Sequence, residues 1–271
     1  MNIFEKILYF LQGKMNTPVP YGWFHLLWIC LIILSIVFLY KLRNRANEKQ
    51  LKMVLAVYGI LAFILELLKQ LIWSFNYDPV TSLVTWDYEW YAFPFQLCTT
   101  PIFVSLICLF LRDGKVRNSL LSYMAFVTIL GSVATVIIPD SCFTSDILVN
   151  IHTMWLHCGS LVVSVYLLMS GKVKINFDNF KNAIYVFLVF IGIAMTLNLF
   201  IYNSDILHGE SFNMFYISPY FISTLPVFDI IQEHVPYLLY LITYFCILTT
   251  GALIVYYLSL FIKYIFNKKS A

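Results

Sequence analysis

Charge is scarce in this chain. Only 11% of its 271 residues are Asp, Glu, Lys or Arg, against 61% hydrophobic residues and a mean hydropathy of +0.82. Soluble domains carry about a quarter charged residues, so that class is excluded and no stretch is left over for a sizeable soluble domain. Paired cysteines are missing too. The six, at positions 30, 98, 108, 142, 158 and 246, form no Cys-x-x-Cys, and none stands at zinc-like spacing from the five histidines. Neither a disulfide framework nor a metal cluster is expected. The N-terminus lacks the charged, apolar, small-residue order of a cleavable signal peptide and reads as part of the mature protein. No internal repeat is visible, so the inverted symmetry of many transporters is absent.

What the sequence has is apolar length. A bilayer core about 30 Å thick needs roughly 20 apolar residues per helical span, and such runs recur throughout. Spans are expected at 22–40, 52–75, 95–111, 119–138, 151–170, 183–203 and 236–262. The expected fold is therefore all-α: a polytopic membrane helix bundle of about seven transmembrane helices, forming one transmembrane domain over 1–271. Segment 1–21 opens with Ile3, Ile7, Phe10 and Leu11 at helical spacing and reads as a short interfacial helix and loop. Residues 204–235 form a connector too long and aromatic for a simple linker, and an extracellular cap or re-entrant segment is expected there.

The few charges are sorted by side. Connectors after the first, third, fifth and seventh spans hold Lys41, Arg43, Arg45, Lys49, Lys52, Arg112, Lys115, Arg117, Lys172, Lys174, Lys181, Lys263, Lys268 and Lys269. The opposite connectors hold no Lys or Arg, only acids such as Asp78, Asp87, Glu89, Asp140, Asp146 and Glu210. By the positive-inside rule the N-terminus lies outside and the C-terminus in the cytoplasm, and the protein is expected in the cell membrane. Trp23, Trp28, Trp73, Trp86 and Trp90 mark an outer aromatic belt. Asp113 and Gly114 make a tight inner turn joining the third and fourth spans as a hairpin.

Ionisable groups inside a span cost about 2.5–3.5 kcal/mol each on insertion scales, so each needs a reason. The second span carries Glu66, Lys69 and Gln70 in its outer half. Glu66 and Lys69 share a helix face; they form either a structural pair or a carboxylate that orients a catalytic base. The third span opens with Gln96 and Cys98, and the fifth places His157 near the end of its second turn. Both lie within roughly 10 Å of the outer boundary, at one depth, where the ester carbonyls of outer-leaflet lipids also lie.

An imidazole that deprotonates a cysteine makes a thiolate able to attack an ester and form a thioester. Oxyanion donors would come from Gln96, Thr99, Thr100 or Asn198, the last in the outer part of the sixth span. A lone thiol or imidazole in a membrane helix is also an ordinary packing or hydrogen-bonding group, and depth leaves both readings open. His152 and His157, five residues apart, do not share a face, which speaks against a metal pair. His208 and His234, in the long connector, read as loop contacts.

The segments YAFPFQLCTTP, NIHTMWLHCGSL and LNLFIYNSDILHGESFNMFYISPYFISTLPV resemble the YwaF family of bacterial integral membrane proteins, from about Trp23 to the last span. That family is similar to transmembrane protein 164, an animal acyltransferase that moves acyl chains between phospholipids with a Cys and a His. It is related more distantly to androgen-induced membrane hydrolases of fatty-acid esters, which use a Thr in place of the Cys. The resemblance puts the nucleophile on Cys98 and the base on His157. Relatives often carry a His before, or a Gly after, that histidine; here Leu156 and Cys158 flank it.

The expected function is a lipid acyltransferase with a Cys98/His157 dyad at the outer leaflet, Glu66 orienting the base and Gln96 helping to hold the oxyanion. Its partner is a membrane phospholipid or other acyl lipid, with no nucleic acid, cofactor or metal implied. Alternatives are a lipid ester hydrolase with the same dyad, or a transporter or ligand-binding protein with Glu66, Lys69, Gln70 and Asn198 along its pathway.

Overall fold

The computed structural model describes residues 1–43, 47–139 and 142–269; Arg45 and Asp140, counted in the charge map, lie outside the described residues. Nine helices follow one another among the described residues: α1 (Ile3–Leu11), α2 (Trp23–Leu42), α3 (Glu48–Ser74), α4 (Thr100–Phe110), α5 (Lys115–Ile137), α6 (Ile147–Met169), α7 (Phe177–Tyr202), α8 (Phe228–His234) and α9 (Tyr237–Lys269). A two-stranded antiparallel hairpin, β1 (Phe75–Asp78) and β2 (Leu83–Trp86), separates α3 from α4. The protein is an all-α polytopic membrane bundle. Six helices, α2, α3, α5, α6, α7 and α9, are long and apolar enough to cross a membrane. They coincide with six of the expected spans.

The expected span at 95–111 takes another form. Its helix, α4, has only 11 residues, about 16 Å at 1.5 Å per residue and half of a bilayer core. Prolines set this limit. Pro94 keeps Phe93 out of the helical region, at φ −49° and ψ 134°, and Pro101 is tolerated because it sits within the first helical turn, where no N–H is required. Residues 93–99 therefore run as non-helical backbone, which membrane depth permits only where protein satisfies the peptide groups.

The termini of the elements follow their sequences. Asn2 and Glu5 form a reciprocal capping box on α1, and Asn47 and Asn176 cap α3 and α7 through the N–H groups of Gln50 and Asn179. The hairpin turns on Asp78, whose carboxylate accepts from the Thr81 hydroxyl at 2.6 Å and the Val80 N–H at 2.8 Å. Those two bonds hold the Asp78 carboxyl below its ordinary pKa.

Packing is organised around α3, α5 and α6. Leu55, Ala62, Ile102, Tyr123, Phe126 and Tyr166 are fully buried in the main core. α2 joins through Phe24 and Ile32 against Met154 and Cys158, and its His25 meets the Tyr21 N–H at 3.0 Å and the Val136 carbonyl at 3.1 Å. α1 packs by Leu8 against Ile72, Phe75 and Val149, while Gln12 donates to the Ile72 and Phe75 carbonyls at 2.7 and 2.6 Å, closing the end of α3. Its other face leaves Ile3, Phe4, Ile7 and Phe10 exposed.

Within α5, Met124–Thr128 is π-helical. The Met124 carbonyl accepts from the Ser164 hydroxyl at 2.7 Å and the Thr128 hydroxyl at 3.0 Å. At the opposite end of the bundle from the hairpin, Arg117, buried, ties α3 to α5 by Glu48 at 2.6 Å, by Asp113, and by the Cys108 carbonyl at 3.1 Å. This clamp closes the α4–α5 hairpin that Asp113 and Gly114 announce.

Candidate active site

The site is built where the head of α4 meets α3, α6 and the connector that follows α7. Residues 93–99 are held from several sides. Gln96 donates its amide to the Asn213 carbonyl at 2.9 Å and accepts the Phe215 N–H at 2.7 Å. Thr99 closes a local turn, accepting the Gln96 N–H at 2.8 Å and donating to the Gln96 carbonyl at 3.0 Å. Thr100 donates to the Leu97 carbonyl at 2.8 Å and meets the Tyr123 hydroxyl at 2.8 Å. Asn198, fully buried on α7, brackets Met214 with bonds of 3.0 and 2.7 Å. Gln96, Thr99, Thr100 and Asn198 are thus committed to holding backbone, a use their sequence spacing does not reveal.

These bonds pin a strained turn. Phe215 and Tyr216 adopt positive φ values of 57° and 58°, an arrangement rare for aromatic residues and kept only where the surroundings over-determine it. The Tyr240 hydroxyl donates to the Tyr216 carbonyl at 2.5 Å, and Phe212, Met214 and Phe215 are fully buried.

Cys98 stands on the turn before α4, half-buried. It lies within electrostatic reach of Lys69, Glu66 and Cys142, and Tyr58, Tyr123, Tyr216 and Tyr244 lie within reach of it. The thiol therefore shares the field of those phenols and of the buried Glu66–Lys69 pair of α3.

That ion pair is larger than its sequence implies. Glu66 and Lys69 meet at 2.7 Å, both buried. The same Glu66 oxygen accepts from Gln70 at 2.7 Å, and Lys69 and Gln70 both donate to the Ala92 carbonyl, at 3.4 and 2.7 Å. The second Glu66 oxygen lies 2.7 Å from Nε2 of His152, itself buried. Glu66 thus meets His152 of α6 at ion-pair distance, although the ring N–H is not aligned to hydrogen-bond the carboxylate. His157 points elsewhere: its ring reaches the Gly131 carbonyl of α5 and lies within electrostatic reach of His152. Cys98 and His157 share no hydrogen bond or ion pair among the described residues.

His152 is the residue that sequence reasoning set aside. Spacing along α6 compares it only with His157, whereas the informative comparison is with Glu66 at the same depth on α3. Gly159 makes that comparison possible: a Cβ there would sit 2.7 Å from the Tyr58 ring, so glycine lets α3 and α6 approach closely. Trp155 reinforces the contact by donating to the Tyr58 carbonyl at 3.3 Å.

Among the described residues no group of three His, Cys, Asp or Glu is arranged to hold a metal ion. Two recesses lie away from Cys98: one of about 240 Å³ between 15–19 and the start of α2, and one of about 490 Å³ beside Thr196, Phe200 and Asn203 on α7.

No curated protein and no solved structure matches the chain. One family does: its sequence model matches residues 20–258, from before α2 to the last turns of α9, and so takes in every side chain described at this site. The chain is a multi-pass membrane protein that belongs to the TMEM164 family.

Proposed function

We propose that the protein is a lipid acyltransferase of the cell membrane, working at the outer leaflet through an acyl-thioester on Cys98 with His157 as general acid and base. The observation that carries this reading is the turn at 96–99. A thiol stands there on non-helical backbone at membrane depth, ahead of the α4 N-terminus, among polar side chains already committed to backbone. Peptide N–H groups at a helix N-terminus favour a thiolate. The thiolate attacks an ester carbonyl, the lysolipid alkoxide leaves with a proton from the imidazolium, and the hydroxyl of a second lysolipid then attacks the thioester. Exclusion of water protects the acyl-enzyme for that second lipid, which favours transfer over hydrolysis.

The charged groups speak against a conduit. Glu66, Lys69 and His152 gather at one end of the bundle, Glu48, Asp113 and Arg117 at the other, and each set is internally paired.

The test is purified protein in detergent with acyl-labelled phospholipid. A hydroxylamine-labile label is expected on Cys98 and labelled second phospholipid as product, with Cys98→Ala at background and His157→Ala slowed at least about 100-fold. Undiminished labelling of Cys98→Ala sinks the assignment. Release of labelled free acid in place of a second phospholipid makes the enzyme a hydrolase.

A further inference from the structure

α4 packs chiefly on α3 and α5, and α7 chiefly on α5 and the turn at 214–216. What bridges the α4 side to α7 is a set of aromatic rings. Phe95, on the turn before α4, lies 6.1 Å from Phe190 of α7 and 6.5 Å from Phe103 of α4, ring centre to ring centre.

Exposure separates these three rings from the core behind them. Phe187 and Phe215, 6.5 Å apart, are fully buried, and Phe215 lies 5.8 Å from Phe95. Phe95, Phe103 and Phe190 are only half-buried. Phe103 shares a helix face with Ile107 and Phe110, and Phe190 adjoins Val189 and Ile193. Those four neighbours are exposed, on faces that a membrane bundle turns to lipid.

The rings lead inward to the thiol. Phe95 stands three residues ahead of Cys98, and Thr100, two residues after it, meets the Tyr123 hydroxyl at 2.8 Å. The Tyr123 ring in turn lies 5.0 Å from Phe190. Both ends of the aromatic bridge thus close on the segment that carries Cys98.

The backbone around this bridge is fixed, because the Gln96 amide bonds both Asn213 and Phe215. An opening here is therefore a rotation of rings between staggered side-chain wells, and it strands no polar group. Depth decides what passes. The head of α4 stands about 16 Å from its inner end, well inside a hydrocarbon core about 30 Å thick, so a side opening meets acyl chains and not water.

We infer that Phe95, Phe103 and Phe190 form a side door from the bilayer to Cys98, which takes the acyl chain of the lipid substrate, the rings at 103 and 190 setting the bulk of chain admitted. The inference deepens the acyltransferase reading and rests on Cys98 being its nucleophile.

The experiment is alkylation of the full chain in phosphatidylcholine nanodiscs by N-hexadecylmaleimide, read by peptide mass spectrometry. The rate at Cys98 is divided by that at Cys246, which is exposed on α9 and reports delivery of the reagent. Phe103→Ala and Phe190→Ala are expected to raise this ratio at least about fivefold, and Phe190→Trp to lower it by about the same factor. Phe190→Leu stands in should Phe190→Ala fail to fold, with the same direction expected. An unchanged ratio in the alanine variants, or a rise matched at the buried Cys108, overturns the inference. An equal gain with a water-soluble sulfonated maleimide overturns it as well, because the opening would then admit water. The labelling needs no acyl transfer, so absence of acyl label on wild-type Cys98 in the phospholipid assay defeats the acyltransferase reading alone.

Discussion

Glu66 gathers three partners, Lys69, Gln70 and His152, on its two oxygens. Removing one partner of a buried pair leaves an uncompensated charge at a cost of about 3–5 kcal/mol, whereas replacing both is far milder. Lys69→Met is therefore expected to lower stability in detergent by about 3 kcal/mol or more, and the double variant Glu66→Gln/Lys69→Met by clearly less. Thermal melts of Lys69→Met, Glu66→Gln and the double variant give the coupling, and additive losses would show that the pair carries no charge. Glu66 with Lys69 could be read from spacing alone, because three residues along a helix fix a shared face. His152 could not, since contact between α3 and α6 depends on their rotation, and that is set by Gly159 against Tyr58.

α4 shows where hydropathy stops being informative. An apolar window over 95–111 counts Gln96, Thr99 and Pro101 as minor interruptions, while the backbone treats them, with Pro94 just ahead, as the difference between a span and an 11-residue helix. The turn at 213–216 was invisible for a related reason: its shape comes from Gln96 and Asn198, more than 100 residues and 16 residues from their partners. Leaving a buried donor or acceptor unpaired costs about 1–3 kcal/mol. Asn198→Leu is expected to speed hydrogen exchange of the amides at 212–218 at least about tenfold, at about 1.4 kcal/mol per tenfold. Gln96→Leu should loosen the same amides and those at the head of α4. Unchanged exchange in Asn198→Leu would mean that the turn is held by its aromatic packing alone.

The whole molecule was the most legible scale. Six spans stood out because a bilayer demands about 20 apolar residues in a row, and the long helices meet that demand. Their orientation rests on the sorted charges: between spans, Lys and Arg occur only in alternate connectors, Lys6 and Lys14 standing ahead of the first span and Lys69 within the second. Val80, in the hairpin turn, is 91% exposed, and Val116, at the start of α5, is 67% exposed, so both make good reporters. Val80→Cys is expected to react with a membrane-impermeant maleimide in intact cells, and Val116→Cys only after permeabilisation. The reverse pattern would place the Cys98 end of the bundle in the cytoplasm and the lipid substrate in the inner leaflet.

Counted in residues, the π-helical turn of α5 is an insertion. Tyr123, beside Thr100, and Gly131, beside His157, stand eight residues apart on either side of it. In an unbroken α-helix they would diverge by about 80°, at about 100° per residue. One residue absorbed by the wide turn brings them back to within about 20° of a common face. The two sides of the site are thus kept in phase by one surplus residue, and the number of residues between Tyr123 and Gly131 matters to the site as much as their identity.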